Sequence, residues 1–160
     1  MARTKMATQK SVVRVGVAAI IQDVQGRLVL GIRKGSHGEG QWQFPGGHLE
    51  MGESYFACAE REALEETGLV VKADKFVAVT NDIFGPEKHY ITLFVLCRMV
   101  KEGQEPRVLE PQKCECWEWK TWADVRALIA GEDGQTKVFL PIVNLLKDHP
   151  DIEALTEASR

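Results

Sequence analysis

The chain has 160 residues, of which 44% are apolar and 27% charged, which suits one soluble domain with a full hydrophobic core. A net charge of −3 and the lack of any Lys/Arg run exclude the basic surface expected of a protein that binds long nucleic acid. No segment is apolar for long enough to span a bilayer, so we expect neither a membrane nor a polymeric nucleic acid as partner.

The domain organisation is predicted to be simple. We expect a polar, disordered tail at residues 1–10, one domain at 11–150 and a short C-terminal tail at 151–160. The cysteines lack the CxxC spacing of metal sites and fall within strand and helix patterns, so they read as reduced thiols. This favours a reducing, cytoplasmic location. The four are Cys58, Cys97, Cys114 and Cys116.

The first part of the chain predicts a β-hairpin. Apolar residues dominate Val12–Gln22 and alternate through Arg27–Arg33, with turn residues at Asp23–Gly26 between them. A short apolar piece, Trp42–Phe44, then leads into Pro45-Gly46-Gly47. Paired glycines let the backbone approach a metal or phosphate that a β-carbon would obstruct.

A helix is predicted after this glycine turn. Ser54 can cap its N-terminus, and the run Tyr55–Thr67 contains neither proline nor glycine. Gly68 stands where a left-handed C-terminal cap belongs. We therefore expect one helix from Ser54 to about Thr67.

Three carboxylates share one face of this helix. Glu65 and Glu66 follow Glu62 at three and four residues, which places all three side chains on one arc. Like charges at such spacings repel by a few tenths of a kcal/mol per pair, so the grouping favours a cation among them. Hard oxygen ligands suit Mg²⁺ or Mn²⁺. The alternative is that the face is simply solvated.

The remaining elements follow from periodicity and turn residues. A polar turn around Gly85-Pro86 separates two strands, and a long polar loop precedes a strand that carries two tryptophans on one face. Two helices end the domain. The expected ranges are strands Leu69–Thr80 and Tyr90–Val100, loop Lys101–Lys113, strand Cys114–Lys120, and helices Trp122–Ala130 and Val138–Lys147.

The stretch Gly46–Leu69 reads GGHLEMGESYFACAEREALEETGL. It combines a glycine turn, a spaced glutamate, an Arg-Glu pair, a second glutamate pair and a helix-ending glycine, an arrangement that few solvated helices need. It runs Gly47, five residues, Glu53, seven residues, Arg61-Glu62-Ala63, one residue, Glu65-Glu66, one residue, Gly68-Leu69. At every one of these positions the chain resembles the Nudix hydrolases. The pieces PGGHLEMGES, HYITLF and EPQKCECWEW are also similar to the eukaryotic MutT-like nucleoside triphosphate diphosphatases, over residues 15–146.

The resemblance implies a fold and a catalytic apparatus. The fold would be the α+β Nudix fold, in which a mixed curved β-sheet is sandwiched between helices as an α/β/α sandwich, and the protein would be a homodimer. The implied Mg²⁺ or Mn²⁺ ligands are Gly47 through its carbonyl, Glu62, Glu65 and Glu66. Glu65 would be a ligand or the base acting on water, and Arg61 would pair with Glu53 or Glu65. Whether Glu110 or Glu115 joins them is left open.

The resemblance also implies contacts with substrate. Arg33 would grip a phosphate, although a charge at the end of a strand is as often solvated. Phe139 would stack on a purine with Thr92 opposite, whereas both residues also suit a protein core. The implied substrate-binding residues are Arg33, His48, Thr92, Phe139, Leu140 and Ile142.

The implied activity is Mg²⁺-dependent hydrolysis of purine nucleoside triphosphates to monophosphate and pyrophosphate. Oxidised purines such as 8-oxo-dGTP would be included, as in sanitation of the nucleotide pool. An alternative is hydrolysis of NADH, ADP-ribose or another nucleoside diphosphate derivative, with the loop Lys101–Lys113 binding the second half. A catalytically silent nucleotide-binding module is disfavoured, because every glutamate of the motif is present.

Overall fold

The computed structural model describes residues 11–35 and 37–157. The predicted tail at residues 1–10 lies outside the described residues. The strands are β1 Arg14–Gln22, β2 Leu28–Arg33, β3 Trp42–Gln43, β4 Gly46–His48, β5 Val71–Gly85, β6 Lys88–Met99 and β7 Cys114–Lys120. The helices are α1 Tyr55–Thr67, α2 Trp122–Ala130, α3 Leu140–Asp148 and α4 Ile152–Thr156.

The strands form one mixed sheet built around β1. Its main path runs β3-β2-β1-β6-β5, while β4 pairs with β1 and β7 pairs with β2. Strands β1 and β6 are parallel, and the other pairs are antiparallel. Strand β1 therefore bonds both to the glycine turn of β4 and to the predicted strand at HYITLF. This places two distant segments of the sequence side by side.

Side chains alternate between two cores, one on each face of the sheet, as strand geometry requires. One core joins α1 to the sheet through buried residues that include Val17, Ala19, Ile21, Cys58, Ala59 and Ala63. The other joins α2, α3 and α4 to the opposite face through residues that include Ile20, Phe94, Val125, Ile142, Leu145 and Ile152. The α+β fold with a mixed sheet between helices is confirmed.

Several element boundaries differ from the prediction. Strand β5 extends to Gly85, whereas the prediction ended it at Thr80, because its last residues pair with β6 in spite of their turn-like composition. Strand β4 was not predicted. Helix α3 begins at Leu140 instead of Val138, because Val138 bridges to Trp42 in an isolated β-pair.

The end of the chain also differs from the predicted tail at 151–160. Residues Ile152–Thr156 form α4, and both Ile152 and Thr156 are fully buried. The indole Nε1 of Trp122 donates a hydrogen bond to the Thr156 hydroxyl at 3.1 Å. Helix α4 is therefore part of the packed structure in the described region.

All four cysteines are free thiols, and Cys58, Cys97 and Cys114 are buried. Burial raises the pKa of Cys58 and Cys97 to about 12 each. None of the helices that the structure describes combines the length and the apolarity needed to cross a membrane.

If α4 belongs to the fold, truncating its buried anchor will destabilise the whole domain. We predict that Ile152→Ala lowers the free energy of unfolding by about 3 kcal/mol, from lost burial and the cavity left behind. Chemical denaturation measures this change. Glu157→Ala, at an exposed position beyond the helix, is the control and should have little effect. Equal stability of the two variants would contradict the assignment of α4 to the core.

Candidate active site

Helix α1 carries the acidic motif, and both of its ends are capped as predicted. The Ser54 hydroxyl accepts a hydrogen bond from the Ala57 backbone N–H at 3.1 Å. Gly68 adopts a left-handed conformation with φ of 74°, and its N–H donates to the Leu64 carbonyl at 3.0 Å. A residue with a side chain is strained at that φ, so the glycine stops the helix there. The predicted helix is confirmed.

Arg61 binds three carboxylates at once. Its guanidinium grips Glu53 with two bonds of 2.7 and 3.0 Å. Its Nη1 also donates to Glu62 at 2.9 Å and to Glu65 at 3.2 Å. The bonds from Arg61 hold the pKa of Glu53 down at about 2, and those from Glu53 and Glu62 raise the pKa of Arg61. Arg61 thus pairs with both of the predicted partners, and with Glu62 in addition.

Glu62 and Glu66 lie against the bare backbone of the glycine turn. A β-carbon on Gly47 would come within 2.2 Å of Glu62 Oε1, so only glycine leaves room for this carboxylate. The Gly46 backbone lies close enough to the carboxyl group of Glu66 to favour its charged form, which works against the other causes that act on its pKa. Burial, and then the charge of nearby Glu62, raise the pKa of Glu66 to about 9.

This carboxylate pair fits a divalent cation. Two carboxyl groups that are pushed together and partly desolvated repel each other unless a proton or a cation lies between them. Among residues 11–35 and 37–157, no three His, Cys, Asp or Glu side chains are gathered closely enough to hold a metal. A cation at this pair would take its other ligands from backbone oxygen, water or substrate, as Mg²⁺ commonly does.

A cavity of about 460 Å³ opens beside the carboxylate pair, a size typical of small-molecule sites. Its walls combine charged, hydrogen-bonding and aromatic side chains. The charged or polar lining residues include Arg33, Gln43, His48, Glu62, Glu66, Thr92, Glu110 and Lys113. The aromatic and apolar ones include Phe84, Tyr90, Phe94, Phe139 and Ile142. Acidic and aromatic groups therefore line the same cavity.

The aromatic part of the wall is tied together by Arg33. Its guanidinium lies 4.0 Å from the ring centroid of Phe139, and its Nε donates to the His37 carbonyl at 2.8 Å. Phe84 stacks on Phe139 with centroids 5.2 Å apart, and the His37 ring meets Phe84 edge-on at 4.5 Å. The buried Nε2 of His37 has no hydrogen-bond partner in the described part of the chain. A ligand could supply that partner.

The structure brings most of the predicted substrate-binding residues to the cavity. Arg33, His48, Thr92, Phe139 and Ile142 line it. Leu140 is not in the lining, because α3 begins at that residue and directs Pro141 and Ile142 to the wall instead. The contacts of Arg33 are with the aromatic wall, so its predicted grip on phosphate stays a prediction.

The predicted acidic residues differ in whether they line the cavity. Glu65 has a side chain that is 53% exposed, and it pairs with Arg61 on the outside of the pair formed by Glu62 and Glu66. Glu110 lines the cavity and forms an ion pair with Lys113 at 3.0 Å. Glu115 is exposed on β7 and is not among the lining residues. The long polar loop thus contributes one carboxylate to the site.

Sequence reasoning missed several residues at or behind the cavity: His37, Gln43, Asp82, Phe84, Tyr90 and Asn144. Asp82 is the most informative, because it is fully buried and its carboxylate accepts three hydrogen bonds. A charged residue two positions after Thr80 lies on the inward face of an extended strand. If the strand had been predicted to continue past Thr80, this alternation would have indicated that Asp82 is buried. The sequence around Asp82 was instead interpreted as a turn.

The family model described as NUDIX domain matches residues 12–141, so the chain belongs to the Nudix hydrolase family. The m7GpppN-mRNA hydrolase NUDT17 of Danio rerio is 26% identical over 169 residues, covering 92% of this chain and 53% of that protein. Nucleoside diphosphate-linked moiety X motif 6 of Mus musculus is 29% identical over 134 residues, covering 82% and 39%. The chain thus spans about half, or less, of the length of these two relatives.

Other similarities are shorter or structural. The oxidized purine nucleoside triphosphate hydrolase of Danio rerio is 46% identical, but over only 46 residues, which cover 29% of this chain and 30% of that protein. The crystal structure of the MutT protein from Methanosarcina mazei Go1 has a TM-score of 0.71. It is 18% identical and covers 89% of this chain and 96% of that chain, which supports the fold alone.

The ion pair between Arg61 and Glu53 should make stability depend on pH. The pKa of Glu53 lies at about 2, below its ordinary 4.5, so the pair stabilises the fold fully above pH 4.5. That contribution is lost as the pH falls toward 2. We predict that Glu53→Gln lowers the free energy of unfolding by about 2 kcal/mol at pH 7, and that the difference from wild type shrinks below pH 4.5.

Chemical denaturation across a pH series measures the effect. Glu50→Gln is the control, because the Glu50 side chain is 68% exposed and lies 3.8 Å from Arg61. Its stability should stay within about 0.5 kcal/mol of wild type. A Glu53→Gln deficit that is the same at pH 7 and pH 3 would contradict the proposed ion pair.

Proposed function

We propose that this chain is a divalent-metal-dependent hydrolase of purine nucleoside triphosphates. It would release a nucleoside monophosphate and pyrophosphate with the consumption of one water. The observation that carries the proposal is that one cavity is lined both by the carboxylate pair Glu62 and Glu66 and by the aromatic wall around Phe139. A nucleotide has the matching halves, a polyphosphate that needs a cation and a flat base.

The residues proposed to hold the metal are Glu62 and Glu66, with the backbone carbonyl of Gly47. Mg²⁺ is the proposed ion, and Mn²⁺ suits the same oxygen ligands. When bound, the ion would neutralise charge on the triphosphate and lower the pKa of an attacking water. The protein's part is to bring the two carboxyl groups together against a turn without β-carbons.

Arg61 and Glu53 are proposed to orient the catalytic carboxylates. The two-bond contact with Glu53 fixes the guanidinium, which then fixes Glu62 and Glu65 through Nη1. Such supporting contacts commonly change metal affinity or activity by about 10- to 100-fold. Glu65 is proposed as a further ligand or as the base that takes the proton from the attacking water.

Three hydrogen-bond donors in the lining are proposed to receive the phosphates. His48 lies beside the glycine turn, with its Nε2 3.0 Å from the Tyr90 hydroxyl. Lys113 enters from the long loop, and its Nζ lies 3.0 Å from Glu110 Oε2. Arg33 remains a candidate for phosphate contact. In this structure its Nε and Nη1 are bonded to His37 and Gln43.

The base is proposed to lie between the aromatic wall and Thr92, with Phe139 and Ile142 beside it and Leu140 behind them. A flat purine suits such a wall, and oxidation of the purine hardly changes its stacking face. A relative named as an oxidized purine nucleoside triphosphate hydrolase shares a short, similar segment. We therefore include oxidised purines such as 8-oxo-dGTP among the proposed substrates. A homodimeric state and a cytoplasmic location also stay predictions.

A second candidate function is hydrolysis of a nucleoside diphosphate linked to another group, such as NADH or ADP-ribose. The observation in its favour is that the loop between β6 and β7 contributes Glu110 and Lys113 to the cavity. These residues could contact a second ligand half. A relative named as an m7GpppN-mRNA hydrolase also supports this second candidate function.

Removing one charge of the carboxylate pair should abolish turnover. We predict that Glu66→Gln lowers kcat for a purine triphosphate by at least about 100-fold, more than loss of a supporting contact. The melting temperature of the metal-free protein should not fall at neutral pH, because a neutral amide replaces a carboxyl group whose pKa of about 9 leaves it mostly protonated there. Glu115→Gln, on the exposed face of β7, is the matched control with unchanged kcat. Near-normal turnover of Glu66→Gln would refute the role of this carboxylate.

Products separate the two candidate functions. With Mg²⁺ present, we expect wild-type protein to release pyrophosphate from canonical and oxidised purine triphosphates. We expect much slower hydrolysis of NADH, ADP-ribose and capped dinucleotides, whose cleavage releases no pyrophosphate. Chromatography of the products measures both. Preferred cleavage of a diphosphate derivative would favour the second candidate, and no hydrolysis of any substrate would indicate a silent binding module.

A further inference from the structure

Asp82 is a fully buried carboxylate that lies behind the cavity wall. Its Oδ2 accepts hydrogen bonds from the hydroxyls of Thr80 at 3.0 Å and Thr92 at 2.5 Å. Its Oδ1 accepts from Nδ2 of Asn144 at 2.9 Å. All three partners are neutral. A buried carboxylate without an opposite charge is costly, so a purely structural role would be filled more cheaply by an apolar residue.

The orientation of every group in this network is fixed. Nδ2 of Asn144 also donates to the backbone carbonyl of Asn81 at 3.4 Å, and a carbonyl can only accept. The Asn144 amide therefore presents N–H groups to Asp82. A carboxylate likewise only accepts, so the hydroxyl proton of Thr92 must point to Asp82. The lone pairs of the Thr92 oxygen remain for a ligand.

Thr92 is one of the residues that line the cavity. Thr92 is paired with Gly16 across β1 and β6, and both residues line the cavity. A β-carbon on Gly16 would lie 4.0 Å from Thr92 Oγ1 and 3.9 Å from the Gly47 carbonyl. Because Gly16 has no side chain, the neighbouring strand places no β-carbon in contact with Thr92 Oγ1.

Gln43 is a second polar residue of the wall, and its hydrogen bonds leave it as a donor, whereas those of Thr92 leave it as an acceptor. The Oε1 of Gln43 accepts a hydrogen bond from Nη1 of Arg33, and arginine can only donate. The Gln43 amide nitrogen is therefore left as a donor in the same cavity. The wall thus offers one fixed acceptor, at Thr92, and one fixed donor, at Gln43.

We propose that Asp82 is a positioning residue for substrate specificity. By holding the Thr92 proton, it makes Thr92 an obligatory acceptor, which selects nucleobases that present a ring N–H and rejects those that present a ring acceptor. A 6-oxopurine has N1–H beside its carbonyl, whereas a 6-aminopurine has a bare N1. The inference rests on the proposed nucleotide site and adds a selection rule to it.

Binding of inosine and adenosine 5′-monophosphates tests the rule without any need for hydrolysis. The two ligands differ only at N1 and at the 6-substituent. We expect wild-type protein to bind inosine monophosphate at least about tenfold more tightly, because the other base leaves buried polar groups unpaired. Purine riboside monophosphate, with a bare N1 and no 6-substituent, should bind as weakly as adenosine monophosphate. Equal affinities for all three would overturn the proposal, and they would do so without any variant.

The variant Asp82→Asn tests the mechanism. Its amide oxygen should stay toward Asn144, which leaves the new N–H₂ group facing Thr92 and frees the Thr92 proton for the ligand. We expect the preference for inosine monophosphate to fall by at least about tenfold. Thr80→Val is the matched control. It removes a hydrogen-bond donor to the same Asp82 oxygen, but Thr80 is not among the residues that line the cavity. It should keep the wild-type ratio whatever its stability.

The outcomes separate this inference from the proposed function. A folded Asp82→Asn protein with the wild-type affinity ratio would overturn the positioning role, even if triphosphates are hydrolysed. A changed ratio in Thr80→Val as large as that in Asp82→Asn would show a general effect of the buried network and would also overturn it. Failure to hydrolyse triphosphates, with the expected binding ratios intact, would refute the proposed reaction and leave the selection rule standing.

Discussion

The site depends on one constraint, the close approach of two like-charged side chains to a backbone without β-carbons. Glu62 and Glu66 are a single helical turn apart, and Gly47 leaves room for Glu62 where any other residue would collide with it. Burial of Glu66, and then the charge of Glu62, raise the pKa of Glu66 to about 9. A helix face arranged in this way is unfavourable unless a cation or a proton compensates.

The fold supplies the framework through β1. Because β1 pairs with β4 on one side and β6 on the other, Gly16 lies next to His48 and also next to Thr92. The next strand continues the same row with Thr80. The glycine turn near the carboxylates and Thr92 of the cavity wall are therefore held by one ladder of backbone hydrogen bonds. Both ends of a bound nucleotide would rest on the same rigid sheet.

The parts of the structure that could be predicted from sequence are those that local chemistry determines. The caps at Ser54 and Gly68 define α1 without reference to any other segment. Helix spacing also placed Glu62 near Glu66. It could not decide that Glu65, one residue away, would turn outward to Arg61, because that choice depends on where the glycine turn packs against the helix.

Long-range pairing determines the rest. Asp82 lies in a stretch whose Asn, Asp, Gly and Pro residues are typical of a turn, yet pairing with β6 extends the strand through it. Glu110 reaches the cavity from a loop without regular structure, and no local pattern distinguishes it from Glu115. The sequence did not distinguish Leu140 from Ile142 as a residue of the cavity wall. The position at which α3 begins determines that Ile142 lines the cavity.

The central claim is that the pair formed by Glu62 and Glu66 holds a divalent ion against a bound nucleotide. Crystals grown with Mn²⁺ and a non-hydrolysable purine triphosphate analogue test it through the anomalous signal of manganese. The account predicts a manganese peak in contact with both carboxylates and with phosphate oxygen, and the purine beside Thr92. Manganese bound elsewhere, or carboxylates that remain without a cation while nucleotide is bound, would contradict it.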